Sequence, residues 1–212
     1  MRAVRVLLTG FGPFPGAPFN PSAALVKALA RRRRPALTAL DRSTHVFATT
    51  YASVDRELPK LFADRPDIVL MFGVAGRRRR ICIETRARNA MTVLFPDASG
   101  YRPQRSVIAR GGPATLVGKA PFAMLRAAAR TRTRTVSVSR DAGRYLCNYA
   151  YWRALEHGND RRPLIQFIHI PPVSREPRRR PRQLSRAPRP SFAAMLRGAE
   201  ALLIALVAAS RR

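Results

Sequence analysis

One cysteine of this sequence lies where a nucleophile would gain most from its surroundings. Cys147 follows the turn-like residues Asp141 to Gly143 and opens an aromatic-rich segment, LCNYAYWRAL, whose pattern predicts a helix. The unpaired amides and the dipole at the start of a helix stabilise an anion. A free thiol titrates at ~8.5, and such a site can lower its pKa. Cys147 is therefore a candidate nucleophile, although a small buried hydrophobe is the commoner role of an intracellular cysteine.

His169 offers a base for that thiol. It lies at the C-terminal end of the apolar run LIQFIHI, directly before Pro171 and Pro172. In open α/β sheets, ligands bind at the carboxyl ends of the strands. A histidine buried on such a strand is also commonly paired with a neighbour and functionally silent. The other two histidines, His45 and His157, lie in positions that favour catalysis less.

Glu84 is the acidic residue that could orient an imidazole. It lies in the alternating segment ICIET, after the run RRRR at 77–80. A lone carboxylate among arginines is also, more simply, a charge-pairing residue. Strand alternation places Cys82 on the same face as Glu84, which makes Cys82 a rival thiol, but no helix terminus stabilises a thiolate there. A cysteine, a histidine and an acid are what thiol acyl transfer requires.

A glycine- and proline-rich loop, GFGPFPGAPFN, follows the first apolar run. Its spacing, G-x-G-x-x-x-G, fits a dinucleotide-binding fingerprint poorly, and Pro13 and Pro15 remove amides that would hold phosphate. Phe11 and Phe14 lie three residues apart on this stiff loop. The two rings either line a flat apolar slot for a ligand or fill the core, and the residues alone leave both readings open.

The elements that must position these residues alternate along the chain. The pattern predicts strands at 4–9, 46–50, 67–72, 81–87, 135–138 and 164–170. It predicts helices at 23–33, 54–62, 121–129, 143–157 and 191–210. Several of the strands are continuously apolar, which is typical of a sheet covered by helices on both faces. We therefore predict one α/β/α domain over residues 1–212, with a flexible Arg/Pro-rich loop at 174–190.

The composition limits the compartment and the partners. The formal net charge is +28, and lysine occurs only at 27, 60 and 119, so the excess is almost all arginine. Such a chain attracts polyanions, and a basic nucleic-acid-binding protein is one alternative, although few aromatic residues alternate with the arginines. No secretory signal is evident, and the apolar run 201–209 predicts the inner face of a terminal helix rather than a membrane span. Two cysteines without a signal indicate reduced thiols in the cytoplasm.

Four stretches in order resemble the pyroglutamyl peptidase I family, cytosolic cysteine peptidases that remove an N-terminal pyroglutamyl residue. The stretches are VLLTGFGPFPGAPFNPSAALVKAL, FGVAGRRRRICIETRARN, SRDAGRYLCNYAYWRAL and FIHIPP. The resemblance covers most of the chain. It implies a single α/β/α domain with a twisted mixed sheet, no cofactor and no metal. It also implies peptides with N-terminal pyroglutamate as substrates, no membrane or specific nucleic-acid partner, and a homo-oligomer, which is a tetramer in many bacterial members.

The resemblance also assigns roles by position. It places the nucleophile on Cys147, the general base on His169 and the acid that orients the histidine on Glu84. The substrate pocket falls on four positions, Phe11, Phe14, Asn20 and Val74.

Some positions depart from the family pattern. Leu94 stands where many bacterial members have an arginine near the site, and Val74 stands where many have glutamine. The runs at 77–80 and 174–190 are unusual, and the second could shape or cover the cleft because it follows His169 closely. These departures leave a second enzyme hypothesis open, namely a related thiol amidohydrolase that acts on another small acyl or cyclic amide.

Overall fold

The computed structural model describes residues 2–14, 18–133, 135–158, 163–173 and 190–211. The predicted loop at 174–190 therefore lies almost wholly outside the described residues. The strands are β1 (Val4–Phe11), β2 (Leu40–Phe47), β3 (Ile68–Val74), β4 (Ile81–Glu84), β5 (Arg86–Arg88), β6 (Thr115–Val117), β7 (Val136–Ser139) and β8 (Leu164–Ile170). The α-helices are α1 (Pro21–Ala30), α2 (Tyr51–Ala63), α3 (Phe122–Arg130), α4 (Leu146–Gly158) and α5 (Phe192–Ser210).

Six of the strands form one mixed sheet in the order β2-β1-β3-β8-β4-β7. The first four of these strands run parallel to one another, whereas β4 is antiparallel to β8 and β7 is parallel to β4. The other two, β5 and β6, form a separate antiparallel pair. The prediction of an α/β fold with a mixed sheet is confirmed.

Strand alternation divides the interior into two cores. Along β3, Ile68, Leu70 and Phe72 pack in the core that contains α1, α3 and α5. The intervening Val69 and Met71 pack in the core that contains α2 and α4. Because β3 is continuously apolar, it is buried on both faces, which is the position that the sequence predicts for it. The sheet is therefore covered by helices on both sides.

Two strand predictions need correction. The sequence predicts a strand at 46–50, whereas β2 covers Leu40–Phe47 and pairs with β1 over its whole length. This strand lies at the edge of the sheet, and its polar residues DRST are exposed or half-buried. The strand predicted at 81–87 is divided after Glu84, since β4 belongs to the main sheet and β5 pairs with β6.

The terminal helix α5 is long and apolar enough to cross a membrane by length and composition alone. Met195, Leu202, Leu203 and Leu206 are nevertheless fully buried in the core shared with α1 and α3. As the sequence predicts for residues 201–209, this helix presents its apolar side to the interior of the protein.

Candidate active site

The imidazole and the carboxylate predicted from the sequence meet at the sheet. Nδ1 of His169 lies 2.8 Å from Oε1 of Glu84, and both side chains are buried. His169 comes from the C-terminal end of β8 and Glu84 from the C-terminal end of the antiparallel neighbour β4. A carboxylate can only accept hydrogen bonds. This contact therefore places the proton on Nδ1 and leaves Nε2 of His169 as the basic nitrogen.

Glu84 is held from several sides. Its side chain is 0% exposed, and Nη1 of Arg78 lies 2.5 Å from the same Oε1 that contacts His169. Its backbone carbonyl accepts hydrogen bonds from the Tyr151 hydroxyl at 3.1 Å and from Nε2 of Gln166 at 2.9 Å. The carboxylate thus has a fixed orientation, because its backbone and one of its oxygens are both anchored. Glu84 is at once the charge-pairing residue and the partner of the histidine.

Cys147 is the second residue of α4. The turn before this helix includes Gly143, which has φ +85°, and the amide of Gly143 donates to Oδ1 of Asp141 at 3.0 Å. The helix then starts with a bond from the Tyr149 amide to the Tyr145 carbonyl. The first amides of a helix have no intrahelical partner. The predicted position of Cys147 in the first turn of a helix is confirmed.

The thiol of Cys147 lies on the same face of the sheet as the imidazole. Gly73 of β3 is paired in register with His169 of β8. A Cβ atom placed on Gly73 would lie 2.6 Å from Sγ of Cys147. Phe167, two residues before His169, packs in the core that contains α4, so alternation directs His169 to that face as well. The sulfur, the imidazole and the carboxylate therefore lie on the same face of the sheet, over its internal strands β3, β8 and β4.

The thiol is neutral in this state. Burial and then the negative charge of Glu84 raise the pKa of Cys147 to about 12, and they outweigh Arg78 and the backbone amide of Cys147, which lower it. The sequence argument from the helix start leads to the expectation of a lowered pKa. The backbone amide does lower the pKa, as that argument expects, but the net shift is upward because desolvation disfavours the thiolate more strongly. A base must therefore take the proton as the sulfur reacts.

Cys82, the rival thiol, also lies next to the histidine, since it is paired in register with His169. Its sulfur lies 3.5 Å from the carbonyl of Arg80 and 3.4 Å from the hydroxyl of Ser137 on the adjacent strand β7, and its side chain also contacts Arg78. It is buried in the middle of β4 and no helix begins beside it. Cys82 has a structural environment, as the sequence predicts.

The predicted pocket residues have different surroundings. Phe11 is only 2% exposed, and its ring packs against that of Phe47 with 5.7 Å between centroids. Phe14 is half-buried, and its ring centroid lies 6.3 Å from that of Tyr145 at the start of α4. Phe14 is thus the ring that reaches the helix carrying Cys147.

Asn20 and Val74 complete the predicted pocket set. Oδ1 of Asn20 accepts from the Ser22 amide and caps α1, while Nδ2 of Asn20 donates to the Gly12 carbonyl at 3.0 Å. Val74 is the last residue of β3 and is half-buried. Leu94 is 70% exposed. Substrate contacts of Phe11, Phe14, Asn20 and Val74 stay predictions.

Sequence reasoning missed several residues that support the site. Arg78 lies in the run RRRR, which has the pattern of surface charge. Tyr151 and Gln166 bind Glu84 through its backbone carbonyl, which no side-chain motif can indicate. Asn148 binds the backbone of Arg88 in β5, because its Nδ2 donates to the Arg88 carbonyl and its Oδ1 accepts from the Arg88 amide, each at 2.8 Å, and so fixes α4 next to Cys147. Across the described residues, no three His, Cys, Asp or Glu side chains form a group that could hold a metal.

Known proteins resemble this chain over nearly its whole length. The sequence profile of pyroglutamyl peptidase matches residues 4–212. A pyrrolidone-carboxylate peptidase of Thermococcus kodakarensis is 34% identical over 193 residues, which cover 90% of this chain and 88% of that protein. The same enzyme of Gloeobacter violaceus is 33% identical and covers 94% and 95%. A crystal structure of Bacillus amyloliquefaciens pyroglutamyl peptidase I is 29% identical, with TM-score 0.82 and coverage of 99% and 96%.

Proposed function

Since this chain belongs to the pyroglutamyl peptidase family and is a cysteine exopeptidase that removes N-terminal pyroglutamate, we propose that Cys147 is its nucleophile, His169 its general base and Glu84 the acid that orients the base. The observation that carries this assignment is the His169–Glu84 contact at 2.8 Å, on the face of the sheet where the Cys147 sulfur touches Gly73. No other thiol on that face begins a helix, because the second cysteine, Cys82, lies within a strand.

The first half of the reaction forms an acyl-enzyme. The Cys147 thiol starts neutral, because its pKa is raised to about 12. Its proton passes to Nε2 of His169 as the sulfur bonds to the pyroglutamyl carbonyl carbon. The amides at the start of α4 are the donors for the developing oxyanion. The carbon–nitrogen bond then breaks, His169 gives the proton to the leaving amine, and a thioester remains on Cys147.

The second half returns the enzyme to its starting state. A water molecule gives one proton to His169 while its oxygen bonds to the thioester carbon. The carbon–sulfur bond breaks, 5-oxoproline leaves, and Cys147 regains its proton from His169. Glu84 keeps its hydrogen bond to Nδ1 throughout, so the same nitrogen, Nε2, serves both half-reactions.

The lactam ring of the substrate binds against the loop after β1. Phe14 supplies the accessible ring, because it is half-buried and lies 6.3 Å from Tyr145, two residues before Cys147. Phe11 supports this loop from the core, and Asn20 fixes the loop through its bond to the Gly12 carbonyl. Val74 lines the opposite wall at the end of β3.

The exposed apolar residues bear on the oligomeric state, and the free cysteines bear on the cellular compartment. We infer a cytoplasmic homo-oligomer without a specific nucleic-acid partner. Both cysteines are free, which suits a reducing compartment. Val93, Leu94 and Phe95 form a run of exposed apolar side chains that a second copy could cover. Light scattering during size-exclusion chromatography tests the subunit number.

Fluorophore release from pyroglutamyl, prolyl and alanyl amides tests the proposed function. We expect turnover of the pyroglutamyl amide alone, and its loss after treatment with iodoacetamide. Turnover of the prolyl or alanyl amide at an equal rate would contradict the pyroglutamyl specificity and favour the related amidohydrolase. Turnover that survives complete alkylation of Cys147 would contradict the thiol mechanism.

A further inference from the structure

Arg78, in the arginine run 77–80, contacts the carboxylate of the proposed catalytic set. Its Nη1 lies 2.5 Å from Oε1 of Glu84, and its side chain is 29% exposed. The preceding residue, Arg77, is exposed. Two residues of the same type therefore differ sharply in environment, which supplies a matched pair for experiment.

The guanidinium of Arg78 also binds the loop that carries the nucleophile. Nη1 lies 3.2 Å from the hydroxyl of Ser139 at the end of β7, and Nη2 donates to the backbone carbonyl of Asp141. This loop continues through Gly143 into α4 and Cys147. One planar group thus connects the orienting carboxylate with the segment that leads to the reactive sulfur. An arginine, with its donors in a rigid fork, is suited to such a bridge.

The positive charge of Arg78 acts on the Glu84 carboxylate and on the Cys147 thiol. The groups that face it are Glu84 and Cys82 on β4, Ser139 at the end of β7, the Asp141 carbonyl after it, and Cys147 on α4. His169 contacts the other side of this site through the Glu84 carboxylate. The side chain of Arg88 lies 3.4 Å from the carboxylate of Asp141. Burial alone would lower the pKa of Arg78, but the charge of Glu84 raises it above its usual value. The guanidinium is therefore a permanent cation beside a buried carboxylate.

We propose that Arg78 is a positioning residue for the proposed reaction, because it holds Glu84 against His169, fixes the loop before Cys147 and favours the thiolate. Its hydrogen bonds go to Glu84, the Ser139 hydroxyl and the Asp141 carbonyl. Its effect reaches the chemistry through Glu84 and through the electrostatic field at the sulfur. The proposal rests on the assignment of Cys147, His169 and Glu84 as the reacting set.

The experiment compares Arg78→Met, Arg78→Lys and the control Arg77→Met in the full chain. The first readout is the rate of Cys147 alkylation by iodoacetamide between pH 7 and pH 10, which follows the thiolate fraction and needs no substrate. Loss of a nearby cation shifts a pKa by about 1 unit or more, so we expect the rate for Arg78→Met to fall about 10-fold at a given pH. Arg78→Lys keeps the charge and should retain most of the rate.

The second readout is kcat and KM for the pyroglutamyl amide. We expect Arg78→Met to lose about 100-fold in kcat with little change in KM, because the defect lies in the alignment of the reacting groups. Arg78→Lys should fall between Arg78→Met and the wild type, since one ammonium cannot reach Glu84, Ser139 and the Asp141 carbonyl as a fork does. Arg77→Met should match the wild type in both readouts.

The outcomes separate the possibilities. The proposal would be overturned if Arg78→Met and Arg77→Met had the same rate of Cys147 alkylation and the same kcat. If circular dichroism shows that Arg78→Met is unfolded, Arg78→Lys decides, and a kcat equal to that of the wild type would overturn it. If the wild type does not cleave the amide, the proposed function fails, whereas the alkylation comparison still shows whether Arg78 acts on the thiol.

Discussion

Gly73 of β3 and Cys147 of α4 are in direct contact, because a Cβ atom on Gly73 would lie 2.6 Å from the Cys147 sulfur and 2.8 Å from the ring of Phe167. The Cys147 sulfur therefore occupies the space that the side chain of any other residue at 73 would fill. This contact brings the thiol to the strand that is paired in register with His169. The absence of a side chain at one strand position is thus part of the site's geometry.

Gly73→Ala should displace the sulfur. We expect kcat/KM for the pyroglutamyl amide to fall about 100-fold, because a shift near 1 Å costs that much alignment. Gly76→Ala, in the following loop, is the control, since a Cβ atom there meets nothing within 4 Å. Steady-state kinetics of both variants measure the effect. Wild-type kinetics in Gly73→Ala would show that Sγ does not pack against this position.

Glu84→Gln should leave the imidazole in place but remove the charge that orients and balances it. In another protease the comparable change lowers kcat about 10⁴-fold, and we expect a loss of at least about 100-fold in kcat here with KM little changed. Glu57→Gln is a matched control, because Glu57 also contacts a histidine, His45, at 2.8 Å but on α2 and β2. A Glu84→Gln enzyme as active as Glu57→Gln would contradict the role of Glu84.

Substitution of the two cysteines should have opposite effects on activity. Cys147→Ala is expected to abolish turnover, whereas Cys82→Ala should leave it largely intact, because Arg78, which also contacts the Cys82 side chain, keeps its bonds to Glu84 and the Asp141 carbonyl. Cys82→Ala loses a small buried side chain, so a modest drop in the midpoint of thermal unfolding is its expected cost. Assay and thermal melts of both variants test this. Retained activity in Cys147→Ala would overturn the assignment of the nucleophile.

Glu200 of α5 links stability to pH. It is buried, and Arg32 and Arg34 contact its two oxygens at 2.8 Å and 2.6 Å. Burial alone would raise the pKa of Glu200, but the hydrogen bonds from Arg34 and Arg32 outweigh it and lower the pKa below 4.5. A depressed folded-state pKa gives stability that is complete above the unfolded value and is lost as pH falls through the folded value.

Glu200→Gln should therefore lower the free energy of unfolding by about 1–3 kcal/mol at pH 7. The difference from the wild type should shrink as the pH falls below 4.5, when the wild-type carboxylate takes up its proton. Urea unfolding between pH 3 and pH 7 measures both. Glu156→Gln, which loses a more exposed pair with Arg153, should cost no more than about 1 kcal/mol. A difference for Glu200→Gln that does not change with pH would contradict the ion-pair account.

The sequence predicts the buried frame of the fold well and its edges poorly. The internal strands β1, β3 and β8 are mostly apolar, since helices cover both faces of the sheet, and the hydrophobic pattern is the strongest signal in the sequence. The edge strand β2 keeps its polar residues DRST in solvent, so its pattern resembles a loop. The end of β4 could not be predicted either. Residues 86–88 leave the main sheet and pair with β6, and this pairing depends on tertiary contacts that the local sequence does not encode.

The same division applies to the site. Cys147, His169 and Glu84 stand out by residue type and position, and the structure places their side chains on one face of the sheet. Arg78 could not be distinguished from its neighbours in RRRR, because only the fold decides which arginine meets the carboxylate. The pKa of the thiol was also beyond reach, since the extent of burial around Cys147 depends on elements distant in sequence.

The most direct measurement is the location of the acyl group. The enzyme is mixed with a pyroglutamyl ester or amide, quenched in acid within the first turnover, digested, and mapped by mass spectrometry. A thioester on Cys147 predicts that the peptide containing this residue gains the mass of one pyroglutamyl group, and that hydroxylamine removes it. The added mass on the peptide containing Cys82, or on no cysteine while product is formed, would contradict the mechanism.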